Sequence, residues 1–425
     1  MATVQIEPAQ TRRATEMFRA LAHRNFRLFW AGAFLSNTGT WMQMVAQGWL
    51  VLQITDSAFW LGFDAFVGLA PGLLLTLLGG VFADLVDRKK LLIFTQAGAG
   101  LSALVLALLV ATGTVEVWMI LLLSFATGCC MALAGPSYQA ITKDLVGRED
   151  LANAIALNST QFQLSRVLGP VLAGATMQWF GLAGCFFINA ASFVFVIGAL
   201  LLVRFDATDA QQEASAARSL RDKGALWEDL LDGLRYAAKR PRVRTLLLIS
   251  SVTSLFGAPY IALMPIFARD VYGFGEGGYA MMMGVAGLGA FFGALLLAFL
   301  GDFRRKGAIV LAGSLAFGLS VVGFSLSILP AVALALLFGV GFAMTTSVAL
   351  INTLLQQLVT DEMRGRVMSM FILSFVGTAP FGNLIAGTMA GRFGAPLTLA
   401  ACGIVIALFT IVVSLRNRRL WQETV

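Results

Sequence analysis

The chain has 425 residues, of which 58% are hydrophobic and only 12% are charged. A soluble domain carries about 25% charged residues, so this composition excludes an ordinary soluble fold and indicates a protein that lies in lipid. The net charge of +7 does not indicate a nucleic-acid partner, because the basic residues lie in short clusters between apolar runs.

Apolar runs long enough to cross a membrane recur along the whole chain. A helix needs roughly 20 apolar residues to cross about 30 Å of hydrocarbon. With that window the sequence predicts twelve spans, six before and six after a polar stretch. They lie at 27–53, 58–83, 91–113, 117–137, 152–178 and 181–203, and at 243–267, 278–301, 307–329, 331–355, 367–390 and 395–415.

The basic residues predict the orientation of these spans. If both termini are cytoplasmic, 27 of the 30 lysines and arginines fall in cytoplasmic tails and loops. Only Arg269 and Arg392 fall on the other side, and Arg166 lies within a span. Because cytoplasmic loops of membrane proteins carry an excess of basic residues, we expect a multi-pass cell (inner) membrane protein with both termini in the cytoplasm.

The polar stretch divides the chain into five expected regions. These are a cytoplasmic tail at 1–25, a six-helix bundle at 26–203, a cytoplasmic linker at 204–242, a second six-helix bundle at 243–415 and a cytoplasmic tail at 416–425. Within the linker, apolar residues recur at helical spacing over 226–238, which predicts one amphipathic helix. The linker is too short to hold a separate enzymatic domain.

The two bundles contain a weak internal repeat. Asp84 follows span 2 and Asp302 follows span 8, while Gly169 and Gly174 of span 5 recur as Gly382 and Gly387 of span 11. The paired positions are 213–218 residues apart. Two parallel six-helix halves, with a substrate site between them near the membrane midplane, are a known transporter design.

These motifs resemble the major facilitator superfamily over nearly the whole chain. The motif after span 2 is supplied by Gly80, Asp84, Arg88 and Lys89. It departs from the family pattern at Leu85, where an arginine is usual, and at Asp87, where a glycine is usual. The run 78–90, together with Asp361 and the Arg364-Gly-Arg366 segment, is similar to the prokaryotic exporter branch that includes the enterobactin exporter and macrolide efflux proteins.

This resemblance implies an all-α membrane fold of twelve transmembrane helices in two pseudo-symmetric bundles. It also implies a proton-coupled exporter of small amphipathic compounds, such as drugs or siderophores, working by rocker-switch alternating access. A lipid or lysolipid transporter, or a nutrient importer, on the same fold remains an alternative. The expected partners are a small-molecule substrate, protons and the lipid bilayer, and we expect a monomer with no nucleic-acid partner.

The resemblance assigns a conformational latch to Gly80, Asp84, Arg88, Lys89 and Asp302. An aspartate at the end of one half can accept hydrogen bonds from the first backbone N–H groups of a helix in the other half. Such a contact contributes about 0.3–1 kcal/mol when exposed and up to ~2 kcal/mol when partly buried. The alternative is that these are ordinary charges of a cytoplasmic loop, where basic residues are in excess in any membrane protein.

Span 5 contains a segment that is similar to the antiporter motif of superfamily exporters. Its members are Gly169, Pro170 and Gly174, with Ser165 and Ala173 where glycines are usual. Proline bends a helix and small residues let a neighbouring helix approach closely. The alternative is generic helix packing.

Two charged residues lie inside predicted spans, and both are candidate cavity residues. Asp64 is the one acid clearly within a span, and Arg166 is the one base. Burying such a group costs at least about 2.5–3.5 kcal/mol, so it usually faces a cavity and has a function. Asp64 is the candidate proton carrier, and Arg166 is a candidate either to orient an anionic substrate or to set the pKa of Asp64. The alternatives are a hydrated aspartate and an arginine bound to helix carbonyls.

Uncharged polar residues in the same spans are expected to line this cavity. They are Asn37, Gln43 and Gln47 in span 1, and Asn158 and Gln161 in span 5. Gln43 and Gln47 are one turn apart and therefore share a helix face.

The sequence offers no chemistry for an enzyme. It has one histidine, His23, and four cysteines within apolar runs, without the spacing of a metal site. No nucleotide-binding glycine-rich loop and no nucleophile–base pair is recognisable. We therefore expect no catalytic residue, no metal and no cofactor, and the sequence argues against an ATP-driven pump.

Overall fold

The structure is a computed structural model that describes residues 18–85, 87–203, 225–301 and 305–416. Within these ranges it also leaves undescribed the side chains of residues 74, 76–85 and 225–231. Every regular element within the described ranges is helical, and none of them is a strand.

The helices of the first half cover each of the first six predicted spans. After a short 3-10 turn at Arg19–Ala22, they are α1 (Arg24–Thr55), α2 (Ala58–Leu85), α3 (Arg88–Ala111), α4 (Val117–Val146) and α5 (Leu151–Leu202). Helix α5 has 52 residues, about 78 Å at 1.5 Å per residue, which is enough to cross about 30 Å of hydrocarbon twice. Gly181, at φ 67°, breaks it where the fifth and sixth predicted spans meet.

The second half begins with α6 (Ala225–Lys239), in the stretch where the sequence predicts a linker helix. It continues with α7 (Pro241–Gly257), α8 (Pro259–Ile266), a π turn (Phe267–Val271), α9 (Glu276–Leu300), α10 (Lys306–Leu326), α11 (Pro330–Leu358), α12 (Asp361–Phe375), α13 (Ala379–Phe393) and α14 (Ala395–Arg416). Prolines at the first positions of α7, α8, α11 and α13 suit helix starts, where their missing N–H would have no partner.

Nine helical stretches of the described chain are long and apolar enough to cross a membrane. One of them is the broken helix α5, and α2 contributes a shorter apolar stretch at Ala58–Leu73. Helix α1 is long enough to cross a membrane, but its polar side chains make it less apolar than these nine stretches. The all-helical membrane architecture is therefore present, and the count of twelve crossings stays a prediction.

Two ends of the bundle can be distinguished. Helices α5 and α9 run antiparallel, because Gly174 lies against Ala280 and the backbone of Arg166 lies against Gly287. We call the end with Arg19, Arg88, Arg240, Lys306 and Arg364 the basic face, and the end with Asp56, Glu116, Gly181, Arg269 and Gly394 the opposite face.

The two halves share one apolar core towards the opposite face. This cluster combines Trp49 and Leu61 of the first half with Tyr260, Tyr279 and Ala386 of the second. Towards the basic face each half has a core of its own, one around Phe26 and Leu200 and one around Val243 and Leu354. The described structure is therefore joined at the opposite face, while at the basic face each half packs on itself.

Small residues bring the halves together where α2 crosses α13 and α5 crosses α9. A Cβ atom built on Gly62 would lie 2.3 Å from the carbonyl oxygen of Asn383 and 2.8 Å from the Cα atom of Gly387. A Cβ atom on Gly287 would lie 2.6 Å from the carbonyl oxygen of Arg166. These crossings therefore need glycine, because any side chain would force the helices apart.

This contact predicts different outcomes for two glycine-to-alanine substitutions. We expect Gly62→Ala to destabilise the protein by about 1–3 kcal/mol, because the new methyl group overpacks the α2–α13 crossing. Gly135→Ala on α4 is the matched control, since its Cβ would have no neighbour within 4 Å. Thermal unfolding of the purified protein measures both. Equal unfolding temperatures for the two variants would show that the α2–α13 contact is not tight.

Candidate functional site

A closed set of hydrogen bonds surrounds Asp64 inside the first half. Ser124 of α4 donates to Oδ1 of Asp64 at 2.6 Å, and Nε2 of Gln47 on α1 donates to Oδ2 at 2.8 Å. Gln47 also donates to the hydroxyl oxygen of Ser124 at 2.8 Å. The three side chains therefore form a ring that joins α1, α2 and α4.

This ring can accommodate the carboxyl group with or without a proton. A carboxylate only accepts hydrogen bonds, and in the described arrangement both of its oxygens do so. A protonated carboxyl group has a hydrogen to donate, and the Ser124 hydroxyl can rotate to accept it. Asp64 therefore has partners for both of its protonation states.

Arg166 lies at the boundary between the halves, and its side-chain contacts do not include Asp64, Gln47 or Ser124. Its Nη2 atom donates to the hydroxyl oxygen of Tyr260 on α8 at 3.0 Å. Its guanidinium carbon lies 5.5 Å from the ring centre of Trp41 on α1, a cation–π distance. Among the described residues Arg166 has no ion-pair partner, so Asp64 and Arg166 are held by different contacts.

A small pocket surrounds the Arg166 side chain, and in the described state it has no room for a water molecule. Its lining combines aromatic, sulfur-containing and aliphatic side chains with one cation, and consists of Trp41, Arg166, Tyr260, Ile261, Met283 and Ala286. Tyr260 is only 1% exposed. One guanidinium N–H group is occupied by Tyr260, and an arginine has five such donors, so the group has further hydrogen-bonding capacity for an anionic or carbonyl oxygen.

The predicted antiporter-like segment packs α5 between two helices. A Cβ atom on Gly169 would lie 2.4 Å from the Cβ atom of Trp41, so α1 and α5 touch there. A Cβ atom on Gly174 would lie 3.0 Å from that of Ala280 on α9. Pro170, within the helix, is buried. The segment therefore packs closely against α1 and α9, and its role in antiport stays a prediction.

The remaining predicted cavity residues lie apart from the Asp64 ring. Gln43 accepts a hydrogen bond from Nδ2 of Asn189 at 2.6 Å, which ties α1 to the second part of α5. Asn158 donates to the hydroxyl oxygen of Thr142 on α4 at 3.2 Å. The structure therefore brings only Gln47 of this predicted set to Asp64.

Two further predicted residues have no such role in the described structure. Gln161 is 1% exposed, and its Nε2 atom has no acceptor among the described residues. Asn37 is half-buried on α1. Their assignment to a substrate cavity stays a prediction.

The predicted latch is described only in part. Asp302 lies outside the described residues, and Gly80 and Asp84 fall in α2 where side chains are not described. Arg88 pairs with Asp144 at 3.2 Å, and Lys89 donates to the carbonyl oxygen of Val203 at 2.8 Å. Both contacts lie within the first half, and the latch itself stays a prediction.

An ion group at the opposite face joins the halves, and sequence reasoning did not identify it. Arg269, at the end of the second half's first crossing, pairs with Asp56 after α1 and with Asp270 at 2.5 Å. The sequence signal that could have identified this group was the position of Arg269, which is one of only two basic residues predicted on the non-cytoplasmic side. Ser124 and Tyr260 were also missed, because serine and tyrosine give no sequence signal within apolar spans.

Comparison with known proteins gives one family. The family model described as "Transmembrane secretion effector" matches residues 15–424. The staphyloferrin A transporter of Staphylococcus aureus is 25% identical over 93% of this chain and 96% of its own length. The multidrug efflux pump Tap of Mycolicibacterium fortuitum is 26% identical over 89% and 92%, and the enterobactin exporter EntS of Escherichia coli is 26% identical over 94% and 94%.

Solved structures of transporters have the same fold. A bacterial homologue of the human lysosomal transporter Spinster, in an inward-facing and occupied conformation, matches with a TM-score of 0.69 and 16% identity, over 96% of this chain and 99% of that chain. The nucleoside transporter NupG matches with a TM-score of 0.70 and 11% identity, over 94% and 100%. At these identities the likeness concerns the fold alone.

The Arg269 ion group leads to a prediction about motion at the opposite face. We expect Arg269→Gln to raise amide hydrogen exchange about two- to five-fold around Asp56 and at the start of α9, because an exposed pair contributes about 0.2–1 kcal/mol. Arg392→Gln is the matched control, since Arg392 is an exposed arginine on the same face. Exchange measured by mass spectrometry distinguishes them. Identical exchange in both variants would show that the ion group does not hold the halves together.

Proposed function

Because the chain belongs to the transmembrane secretion effector family of the major facilitator superfamily, we propose that it is a proton-coupled exporter of small amphipathic compounds. The family consists of membrane transporters and not of enzymes. The relatives are named for transport of staphyloferrin A, for multidrug efflux and for export of enterobactin. These names support efflux of a siderophore or a drug as the activity of this chain.

The hydrogen-bonded ring around Asp64 is the observation that carries the proton-coupling part of the proposal. A coupling group must lose and regain a proton during each cycle without leaving a buried polar atom unpaired. Asp64, Gln47 and Ser124 meet that requirement, because the serine hydroxyl can act as donor or acceptor. No other described side chain combines an acidic group within a span with two side-chain donors.

A short segment of α1 links this ring to the contact between the halves. Gln47 binds Asp64, while Trp49, two residues later, stacks on Tyr279 of α9 with ring centres 5.8 Å apart. A Cβ atom on Gly48 would lie 3.0 Å from the hydroxyl oxygen of the same tyrosine. In this proposal, loss or gain of the Asp64 proton changes the hydrogen bonds of Gln47 and Ser124, and α1 connects that change to the surface between the halves.

The residues around Arg166 support an amphipathic substrate that carries an acidic or carbonyl oxygen. The pocket is closed in the described state, so such a substrate binds after the halves move apart. The lining offers a cation, the faces of aromatic rings and apolar side chains, which together suit a compound with one polar and one apolar part. Arg166 and Trp41 belong to the first half, whereas Tyr260 and Met283 belong to the second. A substrate in this pocket therefore contacts both halves and responds to their relative movement.

Rocker-switch alternating access is the proposed cycle. The described state is joined at the opposite face by a shared core and by the Asp56–Arg269 pair. The alternative state requires those contacts to separate and the basic-face ends of the halves to meet. A ligand or proton shifts the balance between the two states only by binding them with different affinity.

Topology and assembly complete the proposal. The basic face is placed in the cytoplasm, with both chain ends there and the opposite face outside, because basic residues concentrate on the cytoplasmic side of membrane proteins. The two six-helix bundles at 26–203 and 243–415 move as the rocking bodies, linked by residues 204–242. The proposed functional unit is a monomer, because transporters of this design have the substrate site between the two halves of one chain.

Replacement of the proposed proton carrier is the main test. We expect Asp64→Asn to reduce pH-gradient-driven export of an amphipathic dye at least about tenfold, because an amide cannot exchange the coupling proton. Glu116→Gln, at an exposed acid of the opposite face, is the control and keeps wild-type coupling. Proteoliposomes with an imposed pH gradient, with and without an uncoupler, provide the measurement. Full coupling in Asp64→Asn, or export that requires ATP, would refute the proposal.

A second substitution tests the substrate contact. We expect Arg166→Lys to retain a positive charge but to weaken transport of an anionic substrate, because lysine lacks the planar group that lies over Trp41 and binds Tyr260. Arg166→Gln should reduce transport of anionic dyes more than that of neutral ones. Substrate competition curves for both variants measure the effect. Equal losses for anionic and neutral dyes would assign Arg166 a structural role.

A further inference from the structure

A second cavity lies at the opposite face, separate from the Arg166 pocket. It has a volume of about 450 Å³, within the range of small-molecule sites. Its walls come from the end of α1, from α5 just before Gly181 and from the start of α9, and consist of Trp49, Gln53, Gly174, Gln178, Gly275, Glu276 and Gly277. It shares no lining residue with the Arg166 pocket.

Trp49 forms a fixed aromatic wall of this cleft. The side chain is only 5% exposed, and its ring is held in place by stacking on Tyr279. The exposed edge of the ring therefore offers an apolar surface of constant position to the carbon skeleton of a ligand.

The start of α9 leaves room for such a ligand. Cβ atoms built on Gly275 and Gly277 would meet no atom within 4 Å, so bare backbone and open space form this wall. At the base of the cleft the helices are in contact, because a Cβ atom on Gly174 would lie 3.0 Å from that of Ala280. The cleft is therefore a bounded site that is open on the side of the α9 glycines.

The polar lining defines the chemistry of the ligand. Glu276 supplies the acidic group of the lining, and Gln53 and Gln178 supply two amides that can each donate and accept hydrogen bonds. We propose that this cleft binds a small organic ammonium compound that also carries hydroxyl or carbonyl oxygens. Glu276 binds the ammonium group, Gln53 and Gln178 form hydrogen bonds with the ligand oxygens, and the Trp49 ring lies against the carbon skeleton.

Such a ligand acts on the conformation of the protein. Trp49, Gln53 and Gln178 belong to the first half and Glu276 to the second, so the site is complete only while the halves are joined at the opposite face. A compound bound there stabilises the joined state and slows its opening. The site thus has a different ligand charge and a different role from the Arg166 pocket. Its binding of a ligand stands apart from the proposed transport activity, whereas its effect on opening rests on the proposed alternating-access cycle.

A binding experiment with two amino sugars tests the charge requirement. Glucosamine carries an ammonium group and several hydroxyls, whereas N-acetylglucosamine keeps the hydroxyls but has no charge. Titration of the purified full-length protein in detergent should show glucosamine binding at least about tenfold more tightly than N-acetylglucosamine. Equal binding of the two sugars, or no binding of glucosamine, would overturn the proposal.

Three variants locate the binding in the cleft. Glu276→Gln should remove the preference for glucosamine, and Gly277→Leu should abolish its binding, because the new side chain occupies the open space. Glu116→Gln removes an acid of the same face outside the cleft and should bind like the wild type. Unchanged elution and unfolding temperature establish that the variants are folded. Wild-type glucosamine affinity in folded Glu276→Gln or Gly277→Leu would refute the site.

Discussion

Contact between backbones at two helix crossings sets the geometry of this protein. Where α2 meets α13 and α5 meets α9, glycines allow distances that any side chain would prevent. Lipid gives no hydrophobic driving force for helices to associate, so such contacts depend on close packing of small residues. The shared core, the stacking of Trp49 on Tyr279 and the bond from Arg166 to Tyr260 all lie along these crossings.

Polar groups in the interior follow a second constraint, which is that lipid offers them no partners. Asp64 finds hydrogen-bond partners within the first half, in Gln47 and Ser124, whereas Arg166 finds its partner Tyr260 across the boundary between the halves. Movement of the halves relative to each other therefore affects the hydrogen bonds of Asp64 and of Arg166 differently. The contacts of Asp64 can survive separation of the halves, and the contact of Arg166 to Tyr260 cannot.

Much of the fold could be predicted from the sequence because lipid imposes a simple rule on composition. Apolar runs predict helices at each of the intervals where helices occur, and the superfamily inferred from Gly80, Asp84 and Arg88 is confirmed by the family match. Within the site, the rarity of charge in the spans identified Asp64 and Arg166. Their partners Ser124 and Tyr260 could not be predicted, since hydrogen bonds between distant helices depend on how the helices rotate and pack. The Asp56–Arg269 pair joins residues 213 positions apart, so it could not be predicted from the sequence for the same reason.

The placement of Asp64 within one half has a consequence for the evolution of substrate range. Its ring is built entirely from α1, α2 and α4, whereas four of the six residues that line the Arg166 pocket come from α8 and α9. Mutations at Tyr260, Ile261, Met283 or Ala286 therefore alter the proposed substrate pocket without changing a residue of the ring. Under the proposed mechanism, cargo can therefore change through substitutions in the second half of the chain, while the proposed coupling residues of the first half stay unaltered.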